Sequence, residues 1–287
     1  NNAVVQIIVI NVIVFAVANV LKVILQLSGA SELFFHLFRG IQLPAEPTKF
    51  LMQPWSLFTY FFTHFDFFHI LFNMLFLYWF GRIIQEYLNS KKVIQLYILG
   101  GLAGGVLYLL VYNLVPFYAD RIASSYMLGA SAGVFAIVVG AAVFMPNYTF
   151  FLMFIGPVKI KYIAIFYVFM SFIGSTGSNA GGEIAHMGGA FIGWLYISQL
   201  RQGNEIGTWI ISSMNFIKSL FQPQPKIKVT HRSDDHQYKR KKAKKTNVSA
   251  SQTPQAEIDA ILDKISEKGY ESLTKDEKQK LFNASKK

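Results

Sequence analysis

Ser131 lies in Met127-Leu128-Gly129-Ala130-Ser131-Ala132-Gly133-Val134-Phe135 and His186 in Ala185-His186-Met187-Gly188-Gly189, and each opens an apolar run. Polar and ionisable side chains in such runs are costly in a bilayer, face the protein interior or a wet cavity, and mark functional sites by default. A hydroxyl is a weak nucleophile until a neighbouring base takes its proton, so the two read as nucleophile and base. His69 and Asn73, four residues apart and hence on one helical face, can present N–H groups to one point, where an acyl-transfer intermediate gathers negative charge. The backbone N–H of Ser131 is a further donor, because first-turn amides have no intrahelical partner.

These residues need elements that bring them together. The chain has 287 residues, 53% apolar and 16% aromatic, and its apolar residues are bunched into long runs rather than spread at amphipathic spacing, which reads as membrane spans. Windows of span length give six candidates, near 3–27, 58–80, 93–113, 129–145, 160–175 and 184–200. An even count puts both termini on one side. Lys226, Lys228, Lys239, Arg240, Lys241, Lys242, Lys244 and Lys245 in the tail, with Arg82, Lys91, Lys92, Lys159 and Lys161 in short loops, place that side in the cytoplasm; the opposite connections hold only Arg39, Lys49 and Arg121. Spans two, four and six then enter from outside, and His64, His69, Asn73, Ser131 and His186 converge on the outer half of the bundle. From Ser131 to the break at Met145-Pro146 runs roughly 22 Å of helix, against a hydrocarbon core of about 30 Å. Ser131 is thus expected below the outer surface, with 118–130 covered by protein or wetted by a cavity. Small residues repeat at four-residue spacing in Gly101/Gly105, Ala132/Ala136/Gly140 and Gly189/Gly193, which lets helices approach closely.

Composition narrows the chemistry. The absence of cysteine excludes disulfides, thiolate catalysis and cysteine zinc sites. The first apolar run is of span length and lacks a small-residue cleavage site, so no cleavable signal peptide is expected; with Asn1-Asn2 leading the chain, the natural start is expected to lie upstream. Three regions follow: a membrane core over 1–205, an interfacial helix and basic tether over 206–253, and a soluble helical hairpin over 254–287. Trp209, Ile210, Met214, Ile217, Leu220 and Phe221 form the apolar face of the interfacial helix, with Lys218 outside it. A basic run beside a span is read as a partner of anionic lipid headgroups rather than of nucleic acid. Ser249 to Pro254 reads as a linker. In the hairpin, Ile258, Ile261, Leu262 and Ile265 make a helical stripe ended near Gly269, and Thr274-Lys275-Asp276-Glu277 is a capping box that starts a second helix toward Leu281 and Phe282.

The sequence resembles the rhomboid intramembrane serine proteases over about residues 1–205. The likeness rests on His64-x4-His69-x3-Asn73 in span two, Gly129-x-Ser131 in span four and Ala185-His186-x-x-Gly189 in span six, three motifs in the family's order. It implies an all-α, polytopic six-transmembrane-helix bundle, here with a short cytoplasmic helical hairpin tail, in a bacterial inner membrane. It further implies a Ser131–His186 dyad without an acidic third member, and no cofactor or metal. His69 and Asn73 match the family's oxyanion-stabilising residues, and His64 a supporting histidine of the outer loop region. Gly129, Gly133 and Gly189 support the motifs, and Phe135 stands where the family has a tyrosine stacked on the catalytic histidine. The substrates implied are transmembrane proteins with a small residue before the cut and an easily unwound helix; the tail's partner is left unnamed. Two differences stand out: Ala132 follows the serine where the family has glycine, and Trp55-Ser56 replaces a Trp-Arg pair in the 28–57 loop.

Other readings are weighed against this one. Gly129-Ala130-Ser131-Ala132-Gly133 also fits the nucleophile elbow of soluble α/β-hydrolases, but that turn needs a preceding strand and an acid between serine and histidine, where only Glu183 stands. Asp66 and Glu183 are read as a helix cap and a first-turn charge, and His36 as interfacial. His64, His69 and His186 lack the spacing of a metalloprotease. An inactive rhomboid-like protein that binds or escorts membrane clients is the principal rival, against which the intact Ser131 and His186 count. A transporter lacks its inverted repeat.

Overall fold

A computed structural model describes residues 2–152, 155–221, 254–268 and 272–284. Helix α1 (Ala3–Leu27) is followed by α2 (Ser31–Arg39), a two-residue strand β1 (Leu43–Pro44), the short helices α3 (Pro47–Met52) and α4 (Ser56–Thr59), and a 3-10 turn at Tyr60–Phe62. Then come α5 (Phe67–Tyr87), α6 (Ser90–Leu114), a 3-10 turn at Pro116–Arg121, strand β2 (Tyr126–Met127) and α7 (Ser131–Phe144). Strands β3 (Thr149–Leu152) and β4 (Gly156–Lys159), α8 (Ile160–Gly174), α9 (Ala180–Arg201), α10 (Thr208–Phe221), α11 (Pro254–Lys268) and α12 (Lys275–Ala284) complete the order. The fold is an all-α bundle carrying two minor antiparallel pairs, β1 with β2 and β3 with β4.

Six helices coincide with the six expected spans, with one shift. The second begins at Phe67 rather than 58. Asp66 is its N-cap, in extended conformation, and accepts a hydrogen bond from the His69 N–H at 2.7 Å. Residues 58–62 are apolar for another reason: Tyr60 and Phe61 are buried against α6, where a Cβ added to Gly101 would lie 2.6 Å from the Phe61 ring and one added to Gly105 2.7 Å from Leu57. The Gly101/Gly105 face thus admits side chains of the preceding loop, and the backbone-close contacts belong to Gly100 and Gly104 beside them.

Helices α1, α5 and α6 are long and apolar enough to cross a membrane, and α7 and α8 are shorter apolar helices. At 1.5 Å per residue α7 extends about 21 Å and α8 about 22 Å, both short of a hydrocarbon core of about 30 Å. Large apolar side chains cover the outside of the bundle, including Ile165, Phe166, Phe169 and Phe172 on α8 and Ile13 and Val17 on α1, a surface suited to lipid rather than water. Several polar groups in the interior are paired: the Asn11 amide donates to Ile7 O at 2.9 Å and Tyr97 Oη at 3.0 Å, Tyr196 donates to Gln95, and Lys92 meets Glu205 at 2.7 Å.

Helices α6, α7 and α9 form the centre. A Cβ on Gly189 would overlap Ala132 O, and one on Gly193 would overlap Ala136 O, so α9 lies on the backbone of α7. Across the other face, a Cβ on Gly104 would fall 2.5 Å from the Ala132 methyl, and one on Gly188 2.8 Å from Ala103 O. Ala132, the departure next to the serine, is therefore accommodated: its methyl fills the notch left by Gly104.

The loop before α5 is tied down without the Trp-Arg pair. Trp55 Nε1 donates to Gly40 O at 2.8 Å, Gln53 Nε2 donates to Arg39 O and Gln42 O at 3.1 Å each, and the Arg39 guanidinium sits 5.5 Å from the centre of the Tyr126 ring.

The chain divides into two compact units, Asn1–Pro225 and Lys226–Lys287. Helix α10 belongs to the first, with Ile210 buried and Trp209, Met214, Ile217, Leu220 and Phe221 exposed. In the second, the expected capping box forms: Thr274 N–H donates to Glu277 Oε2 at 2.7 Å and Glu277 N–H to Thr274 Oγ1 at 3.3 Å. Lys264 reaches Glu277 at 2.8 Å, joining α11 to α12. The basic stretch 226–245, residues 249–253 of the linker and Gly269 lie outside the described residues, and Pro254 begins α11.

Candidate active site

Helices α5, α7 and α9 all begin at one end of the bundle, around a cavity of about 500 Å³ whose lining includes His69, Asn73, Ser131 and His186. The rest of its wall is largely apolar: Phe68, Phe72 and Phe76 from α5, Val134, Phe135 and Val138 from α7, and Tyr167 from α8.

The turn into Ser131 is fixed at three consecutive points. Strand β2 pairs with β1 through Met127 and Leu43; Gly129 N–H donates to Tyr60 O at 3.0 Å; Ala130 N–H donates to His64 Nε2 at 3.1 Å. Gly129 has φ +117°, a region side chains disfavour, and an added Cβ would meet the His69 ring at 2.6 Å. Ser131 is the first residue of α7, so its N–H has no acceptor within the helix. Ser131 is thereby held at the wall of the cavity.

His186 stands in the second turn of α9. The Phe135 ring lies parallel to its imidazole, 9° from coplanar with centroids 4.1 Å apart, and so holds the plane of the ring. Its Nδ1 is occupied: Ser171 Oγ on α8 is 3.1 Å away and Glu183 Oε2, one turn earlier on α9, is 3.2 Å away. These contacts leave Nε2 unused.

The remaining motif residues fall into two groups. Asn73 donates one amide hydrogen to His69 O at 2.8 Å, and the second hydrogen of that amide is not used by this bond. His64 precedes α5, is wholly buried, and packs edge-on against His69 with ring centroids 5.1 Å apart; it touches the Ala130 backbone rather than the cavity. Gly133 and Gly189 are likewise away from the chemistry. A Cβ on Gly133 would meet Tyr97 O at 2.6 Å, so that glycine seats α7 on α6, as Gly189 seats α9 on α7. Among the described residues no three histidine, cysteine or acidic side chains converge as a set of metal ligands.

A second, more polar hollow of about 190 Å³ shares His69 and Asn179 with the first and is lined also by Tyr108, Tyr112, Ser125, Tyr126 and Ser178. It lies beside the 118–130 segment and is large enough for several waters. Ser171 and the contact role of Glu183 escaped the sequence reading. Two signals pointed to them: Ser171 is the one serine within Ile160–Gly174, late in a mostly apolar and aromatic run, and Glu183 stands three residues before His186, on the same helical face.

Comparison with known proteins fits this geometry. A family of unknown function (DUF6576) matches residues 233–287. RHOMBOID-like protein 12, mitochondrial, of Arabidopsis thaliana is 30% identical over 158 residues, which cover 52% of this chain and 47% of that one. The chain thus spans about half the length of this curated relative. The model of the Rhomboid domain matches residues 51–202, from the end of α3 through α9, and the chain is a multi-pass integral membrane protein belonging to the rhomboid family.

Proposed function

We propose that this rhomboid is an intramembrane serine endopeptidase that hydrolyses peptide bonds in or near the transmembrane segments of membrane proteins. The observation that carries the reading is the convergence of Ser131, His186, His69 and Asn73, from three helices, on one cavity whose other walls are largely apolar and aromatic, with Asp66 and Asn179 the remaining polar residues. Such a wall suits an extended stretch of a transmembrane substrate. Ser131 Oγ attacks the substrate carbonyl carbon as its proton passes to His186 Nε2. The oxygen that becomes negative is met by the Ser131 N–H, the His69 ring and the free amide hydrogen of Asn73. His186 then hands the proton to the departing amine, and water from the polar hollow, activated in turn by His186, releases the acyl group. The bilayer orientation belongs to the same proposal: both termini in the cytoplasm, the Ser131 end toward the outside, and the basic stretch 226–245 on anionic lipid headgroups.

Labelling by a fluorophosphonate serine probe in detergent tests this directly. Labelling that maps to Ser131, and is lost in Ser131→Ala and His186→Ala, is expected. A folded protein that takes no probe would favour a client-binding role instead.

A further inference from the structure

The resemblance implies a dyad with no acid behind the histidine, yet here a carboxylate stands at His186 Nδ1. Glu183 Oε2 lies 3.2 Å from that nitrogen and Ser171 Oγ 3.1 Å from it. The place is shaped for the glutamate. Gly174, at the end of α8, leaves the room: a Cβ there would lie 3.0 Å from Glu183 Cγ and 3.1 Å from Cδ. Ser171 is itself 2% exposed.

We infer that Glu183 is a positioning residue for the base, the third member of a Ser131–His186–Glu183 triad, with Ser171 at the same ring nitrogen. The inference rests on the proposed proteolytic role of Ser131 and His186. Its physical basis is donor and acceptor character. The Ser171 hydroxyl can donate or accept, so alone it leaves His186 free to carry its proton on either nitrogen. An ionised carboxylate only accepts. It therefore requires the proton on Nδ1 and leaves a lone pair on Nε2, the form able to take the Ser131 proton. When His186 becomes positive during attack, the same carboxylate lies beside the new charge. Phe135 fixes the plane of the ring, and Glu183 fixes its rotation and tautomer within that plane. No bond to Glu183 forms or breaks, and its proton count does not change through the cycle.

The test uses the full chain in detergent, labelled with 15N-histidine, and the His186 signal is assigned by its loss in His186→Ala. Wild type at neutral pH should show the Nδ1–H tautomer alone, whereas Glu183→Gln, whose amide can donate as well as accept, should show both. On a model transmembrane substrate, Glu183→Gln should lower kcat at least tenfold with KM unchanged, and Glu183→Asp should recover part of the loss. An unchanged tautomer in Glu183→Gln, or a loss confined to KM, overturns the positioning role. The two readings separate cleanly: if the tautomer shifts as described but wild type neither cleaves nor takes a fluorophosphonate, the Glu183 contact stands and the protease reading falls.

Discussion

In the proposed mechanism Gly129 and His64 do no chemistry, yet they hold the turn that carries Ser131. A side chain at Gly129 would be forced into φ +117° and against the His69 ring, a backbone cost of order 1–3 kcal/mol before the clash is counted. Gly129→Ala should therefore lower thermal stability and cut turnover by more than tenfold, read by a melting curve and a cleavage assay on the same preparation. His69→Ala and Asn73→Ala belong to a different class. In the proposed mechanism each removes a donor to the developing oxyanion, so kcat should fall by up to about 10²–10³-fold with KM little changed; weaker substrate binding at normal turnover would make them substrate contacts instead. At this scale the sequence was legible where helical spacing controls geometry. The i, i+4 relation of His69 to Asn73 placed both on the cavity. It was not legible where tertiary contact decides: neither the seat that Gly174 and Ser171 provide for Glu183 nor the commitment of His64 to the Ala130 amide follows from spacing.

Helix against helix, the spacing of α7 and α9, which carry Ser131 and His186, is set by small residues. Because a Cβ at Gly189 would overlap Ala132 O, any side chain there must push α9 away from α7 and carry His186 with it. Gly189→Leu should abolish probe labelling of Ser131 while the protein still inserts in the membrane, whereas Gly203→Ala, beyond α9 and strained only by its φ of +86° with open space around it, should lower stability slightly and still label once folded. Equal labelling of both would show that the close α7–α9 contact does not control the site. The small-residue spacing of α7 and α9 could be read from the sequence, as could five span starts to within a few residues. The start of α5 could not. Hydropathy counts Phe58 to Phe62 as lipid-facing, and only the fold reveals Tyr60 and Phe61 as interior residues lying over Gly101 and Gly105. The two short strand pairs were illegible for a similar reason, since β1 and β2 join segments more than 80 residues apart through two residues each.

For the whole molecule, every residue lining the larger cavity lies between Asp66 and His186, in the first of the two compact units. Deleting 226–287 should leave cleavage in detergent within tenfold of full length; a larger loss in a folded core, above about 1.4 kcal/mol of barrier, would make the tail part of the active conformation. The hairpin has its own acid sensitivity. The Lys264 ammonium, and after it the Thr274 N–H, hold the Glu277 carboxyl down to about 2 from its usual 4.5. A group depressed on folding stabilises above its unfolded value and loses that contribution as the pH falls toward its folded one. Amide NMR signals of 275–284 should thus hold at pH 5 and weaken progressively below about 4.5, and Glu277→Gln should lose that dependence while being weaker at neutral pH. The family, the helical bundle and the convergence of its polar residues were all legible from the chain; the enzyme activity is what remains to be measured. Wild type, Ser131→Ala, His186→Ala and the double variant, each reconstituted with a transmembrane substrate in liposomes, provide the most direct measurement. Cleavage within or beside the substrate's membrane segment by wild type alone is predicted, with either single variant as inactive as the double, because the two groups act in one proton-coupled attack. Undiminished cleavage by either single variant would contradict the assignment of nucleophile and base.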